Sequence, residues 1–213
     1  MERLAHPPAE QYDTLERQTQ AATFGMWLFL GSEILFFSGL FAVYWAVRAH
    51  YGSQFVDAAR HSKLAIGTIN TFILLVSSYF VAMAASGPRR GAGHRSTVVH
   101  LAIAVVLGLA FLTLKGIEYL EHFRDGIYPA GLYHYAAAAN NGARMFFTLY
   151  FFMTGLHAIH VGIGLGLLVW LARRVGRGDF DAEYYTPLEL GGMYWHLVDA
   201  IWLFLWPCFY LLR

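Results

Sequence analysis

Charge is scarce in this sequence. Only 14% of its 213 residues are Asp, Glu, Lys or Arg, while 57% are hydrophobic and the mean hydropathy is +0.44. Soluble domains carry roughly 25% charged residues, so too little charge is present to coat a surface in water. Membrane solvent is the simpler explanation. The formal net charge of +1 leaves no clustered basic face for nucleic acid, and no such partner is expected. A single cysteine, Cys208, excludes an internal disulfide framework and any Cys-rich metal site. No Gly-rich phosphate loop, nucleophile–base pair or CxxCH haem attachment occurs. Internal repeats and low-complexity tracts are missing too. The opening MERLAHPPAEQYDTLERQTQ has no apolar core, which predicts no signal peptide.

What is present is long apolar runs. A membrane span needs about 20 mostly apolar residues, and five stretches qualify: 24–47, 64–85, 98–119, 145–171 and 193–212. Between them lie segments rich in Gly, Pro and charge, such as GPRRGAGHRS, as loops should be. The reading is an all-α membrane protein, with a polar segment at 1–23 and a bundle of five transmembrane helices at 24–213. Basic clusters at Arg89, Arg90 and Arg95 and at Arg173, Arg174 and Arg177 fall on the same side as the N-terminus. The positive-inside rule then predicts a cytoplasmic N-terminus and a periplasmic C-terminus.

Polar residues inside the runs are the candidate sites. Glu33 lies nine residues past Phe24, roughly 14 Å into the first span. A central carboxylate costs about 2.5–3.5 kcal/mol on insertion scales, and such groups often mark proton or ion routes. The alternative is a carboxyl hydrogen-bonded to a neighbouring helix. Lys115, Glu118 and His122 share one face of the third span, each able to pair with the next; they read as a neutralised cluster near the interface with Lys115 snorkelling. His157 and His160 stand one turn apart. They could ligate a metal or haem, yet no further ligand set accompanies them. Hydrogen bonding across a helix contact, eased by Gly162, Gly164 and Gly166, is the preferred reading. His196 and Asp199 are neighbours at i, i+3, either a proton relay or a mutually satisfied pair. Trp195, Trp202 and Trp206 suit interfacial anchoring, and Asn70 suits an interhelical hydrogen bond.

Read in order, GMWLFLGSEILFFSGLF, INTFILLVSSY, LKGIEYLEH, TGLHAIHVGIG and YWHLVDAIWLFLWP resemble subunit III of the haem–copper oxidases, in its short five-helix bacterial form. The matches cover nearly everything from Phe24 onwards. The resemblance implies a non-catalytic accessory subunit of a respiratory oxidase, within an oxidoreductase complex but without a catalytic centre of its own. Its direct partner would be subunit I, with subunit II and further small subunits nearby, in the bacterial cytoplasmic membrane. Haem and copper belong to the partner subunits; this chain would hold none, and would bind phospholipid and support proton uptake. The family's membrane carboxyl falls on Glu33. Asn70, Glu118, His157, His160, His196 and Asp199 become structural or lipid-associated positions. The Glu of GSEILFF favours cytochrome c as the electron donor, with quinol-oxidase and nitric-oxide-reductase-associated relatives as the alternative. Two other classes compete: a membrane metalloenzyme built on His122, His157, His160 and His196, and a transporter built around Glu33. The second would show inverted repeats or broken helices, and none is visible.

Overall fold

The computed structural model of the chain describes residues 8–60, 63–128, 140–181 and 183–212. Residues 1–7 of the polar N-terminal segment, and 129–139 of the connection before the fourth apolar run, lie outside the described residues. Among the described residues five long helices form: α1 (Leu15–Ala59), α2 (Leu64–Ala85), α3 (His94–Arg124), α4 (Asn141–Gly176) and α5 (Thr186–Trp206). Four of them, α1 to α4, are long and apolar enough to cross a membrane. The fifth has 21 residues, but Glu189, His196 and Asp199 dilute its apolar character.

Most helices overrun the apolar stretches within them, because capping and not hydropathy sets their ends. Thr14 accepts a hydrogen bond from the Arg17 N–H at 3.2 Å, and Asn140 accepts one from the Ala143 N–H at 2.8 Å. Both side chains satisfy N–H groups that the first helical turn leaves free. Inside α1, Gly52 takes a left-handed φ of 47°, a conformation that a side chain would oppose. The helix breaks there, and its final turns bury Phe55, Ala58 and Ala59. At the far end of the chain Pro207 cannot continue α5, and Pro207–Leu211 winds into a π-helical turn.

α2, α3, α4 and α5 close into a four-helix bundle in which α4 touches α3 and α5, and α2 touches α3 and α5. α1 stands outside it, against α4 and the edge of α5. The start of α1 meets the start of α5 through Thr19 and Thr186, 3.0 Å apart. Further along, Tyr44 donates to the Cys208 carbonyl and Arg48 to the Leu212 carbonyl at 2.7 Å. α1 and α5 therefore run parallel. Outside the apolar runs, Lys63 at the start of α2 meets Glu121 near the end of α3 at 2.6 Å. That hydrogen bond raises the lysine pKa and lowers the carboxyl pKa.

The core is aromatic. Trp195 and Trp202 are fully buried, so they fill the bundle centre and do not anchor it at the interface as their type suggests. Trp195 lies where α3 and α4 both present glycine. A methyl group on Gly108 would stand 2.9 Å from its ring, and one on Gly164 2.8 Å. Gly162 and Gly166 face open space, so of the three glycines read as packing residues only Gly164 meets a neighbouring helix. Gly164→Ala is expected to destabilise the bundle by about 1–3 kcal/mol, the usual cost of overpacking. Gly162→Ala should be neutral or slightly stabilising, because alanine favours helix. Unfolding of the purified variants in detergent micelles checks both.

Candidate functional site

Glu33 points from α1 towards α4, where its Oε2 lies 3.1 Å from His160 Nε2. The histidine's orientation is set from its other side: Nδ1 is 2.8 Å from the Leu156 carbonyl, an oxygen that can only accept, so Nδ1 carries a hydrogen. A hydrogen bond between Nε2 and Oε2 then needs one proton between them. With the proton on oxygen both groups are neutral, and with it on nitrogen they form an ion pair. The pair is net neutral either way, which explains how an acid is tolerated in an apolar helix. The edge of Phe37 packs on the imidazole at 5.4 Å, and Tyr194 donates to the His160 carbonyl at 3.1 Å. Both side chains keep some exposure, 20% for Glu33 and 16% for His160.

His157 is placed differently. Its ring is buried between Trp202, stacked at 5.2 Å, and the edge of Phe111 at 5.7 Å. Neither ring nitrogen has a hydrogen-bond partner among the described residues. Of the two histidines, only His160 bonds across a helix contact.

The third-span cluster is deeper than its sequence position suggests. Lys115 does not snorkel; it is 4% exposed. Its ammonium donates to Glu118 at 2.9 Å, to the Tyr150 hydroxyl at 2.9 Å and to the Tyr210 hydroxyl at 2.8 Å. Three N–H groups thus meet three acceptors, which an ammonium requires once it leaves water. Tyr210 donates in turn to the Glu118 carboxylate at 2.8 Å. The rings of Tyr119, Tyr150, Trp202 and Tyr210 surround the cation at 4.8–5.5 Å, within cation–π range. His122 bonds the Glu118 backbone carbonyl at 2.7 Å and not its carboxylate.

On α5, His196 and Asp199 do not bond one another. His196 Nδ1 lies 2.7 Å from the Ser78 hydroxyl on α2, which also neighbours the Asp199 carboxyl; Asp199 is buried, and neither of its oxygens makes a full hydrogen bond among the described residues. Asn70 is buried, and neither amide atom has a hydrogen-bond partner among the described residues. Next to it, Thr71 accepts from the Trp202 indole at 3.0 Å. Glu118, His157, Asp199 and Asn70 therefore line the bundle interior, with Trp202 running among them, whereas Glu33 and His160 sit on its α1 side. No three His, Cys, Asp or Glu side chains among the described residues converge to hold a metal. His122, His157, His160 and His196 face four different neighbours.

Tyr150, Tyr210 and Ser78 complete these contacts without standing out in the sequence. Each is a common residue whose partner lies on another helix, 35 to 118 positions away, and no local spacing signals that.

Comparison with known proteins finds relatives over most of the chain. The family model for cytochrome c oxidase subunit III matches residues 12–212. The cytochrome c oxidase subunit 3 of Thermostichus vulcanus is 31% identical over 191 residues, covering 88% of this chain and 86% of that protein. The quinol oxidase subunit 3 of Bacillus subtilis (strain 168) is 29% identical over 193 residues, covering 88% and 85%. The longer cytochrome c oxidase subunit 3 of Balaenoptera musculus is 30% identical over 196 residues, covering 88% of this chain and 68% of that protein.

Removing one member of the buried pair should be severe. Lys115→Met leaves the Glu118 carboxylate buried without its cation, with only Tyr210 still donating to it, at a cost of about 3–5 kcal/mol. Lys115→Met combined with Glu118→Met should recover much of that loss. A double-mutant cycle in micelles measures the coupling; additive single effects would contradict the geometry.

Proposed function

The chain belongs to the cytochrome c oxidase subunit III family, and from that membership we propose the part it plays. It is an integral membrane protein and an accessory subunit of a haem–copper oxidase. In our reading it packs directly on subunit I, with subunit II and smaller subunits nearby, in the bacterial cytoplasmic membrane. All five helices span, with residues 1–23 cytoplasmic, 24–213 forming the transmembrane bundle and the C-terminus periplasmic. A fifth span is supported by the length of α5, about 30 Å for its 21 residues, and by its parallel course beside α1. Phospholipid lies along the exposed apolar faces, where Phe24, Leu28 and Leu35 are more than half exposed. Haem and copper stay in the partner subunits. Relatives named for quinol and for cytochrome c match at similar identity. We take cytochrome c as the donor, with quinol as the alternative.

The observation that carries the functional reading is the Glu33–His160 contact. A single proton held between two titratable groups, on the side of the bundle still open to a partner, suits a station beside a proton-uptake route of subunit I. The other candidate positions serve structure. Asn70, Glu118, His157 and Asp199 are enclosed by the bundle, and His196 is tied to it through Ser78 at the edge of an outer groove.

Glu33→Ala in the assembled oxidase is expected to leave the haem optical spectrum unchanged. Proton uptake should slow, or activity during sustained turnover should fall severalfold sooner than in the unaltered complex. His160→Phe should reproduce the effect, because it removes the group with which Glu33 shares its proton. Stopped-flow proton uptake and turnover lifetime measure this; loss of haem on either substitution would contradict it.

A further inference from the structure

α1 and α5 touch through Phe29 with Tyr194, 6.1 Å between ring centroids, and through Phe41 with Phe204, 6.2 Å. Between these contacts their outer faces leave a groove. It comprises two adjoining hollows of 440 Å³ and 310 Å³ that share Ile34 and Leu197 as lining. The lining runs from Trp27 to Phe41 on α1, about 21 Å along the helix axis. Because α1 and α5 are parallel, the groove is straight and runs along the bundle.

Two features of the lining are out of place for a channel filled by acyl chains. His196 lines one hollow and Ser38 the other, roughly 13 Å apart along the groove, counted from the level where Thr19 meets Thr186. His196 is held by its Nδ1 contact with Ser78, which leaves Nε2 free. Neither Nε2 nor the Ser38 hydroxyl has a partner among the described residues. Hydrocarbon tails offer such groups nothing, and an unanswered polar group in lipid is costly. A helix laid in the groove can answer both, since interhelical hydrogen bonds commonly join membrane helices.

We propose that this groove seats one membrane-spanning helix of the haem-carrying oxidase subunit, whose hydrogen-bonding side chains, two to three turns apart, meet His196 and Ser38. This rests on the accessory-subunit reading and adds the face and the chemistry of the contact. The occupant is a helix and not lipid because Ser38 lies at least about 13 Å from either end of the first apolar run, out of reach of the ester and phosphate groups of a phospholipid.

The test uses the intact oxidase in native membranes. p-Benzoylphenylalanine is placed at Leu197 in the groove and, as a control, at Val106 on the outer face of α3, where that side chain is 63% exposed. After illumination, the groove probe is expected to yield a peptide from a transmembrane segment of a haem-carrying complex subunit, bearing Ser, Thr, Asn, Gln or Tyr near the joined residue. The control should yield phospholipid adducts. Phospholipid adducts from Leu197, a second copy of this chain, or a subunit without haem would overturn the proposal while leaving the accessory role intact. Failure of any haem-bearing subunit to accompany the chain would sink both. Independently, Ala200→Trp fills the groove and should lower co-purified haem per chain about tenfold, the effect of a modest steric clash. Val106→Trp should change it less than about twofold. Circular dichroism confirms that each variant keeps its helices, and equal haem recovery for the two folded variants would contradict the assignment.

Discussion

Hydrocarbon forms no hydrogen bonds, so a polar side chain in a membrane helix is stabilised where another helix answers it. The architecture of this protein follows from how those answers are distributed. The strongest is at Lys115, whose three donors meet Glu118, Tyr150 and Tyr210. These groups come from α3, from α4 and from the π-helical turn beyond α5. One ammonium thus ties three separate parts of the chain together. The turn that supplies Tyr210 is also held by Tyr44 and Arg48 from α1, so the C-terminal end locks the edge helix as well as the bundle.

Glu33 and His160 are answered in a second way, by each other, on the side where α1 leans on α4. The difference in burial between the two ion-pairing sites separates their roles. Lys115 and Glu118 are enclosed and fully satisfied, which suits a permanent structural link. Glu33 and His160 share a proton and remain partly exposed, which suits a group that works with a neighbour. Histidines of the same sequence motif, His157 and His160, therefore end in different environments. One is packed between aromatic rings in the core and the other serves the carboxyl.

Much of this was legible in the residues. Apolar runs punctuated by Gly, Pro and charge mark all five helices, and the anomaly of Glu33 is visible from its neighbours alone. Spacing places Lys115 and Glu118 on one face, where they do meet. What spacing does not contain is the identity of whatever that face meets. His196 is aligned with Asp199 along its own helix, but its ring turns to Ser78 on α2. The three glycines of α4 look equivalent in sequence, and only Gly164 abuts Trp195. Helix ends were hidden for a related reason. Thr14, Asn140 and Gly52 act through backbone geometry, which hydropathy ignores. The weaker apolar character of α5 is the counterpart of its position: it carries polar side chains turned towards the bundle interior or the groove.

The central claim is that these polar groups build a scaffold that serves a redox partner and carries out no redox chemistry itself. It is tested most directly by isolating the oxidase in mild detergent, detaching this chain and measuring iron and copper in both fractions. The account predicts that the metals and haem remain with the rest of the complex and that the separated chain holds none. Stoichiometric iron or copper on the separated, folded chain would contradict it.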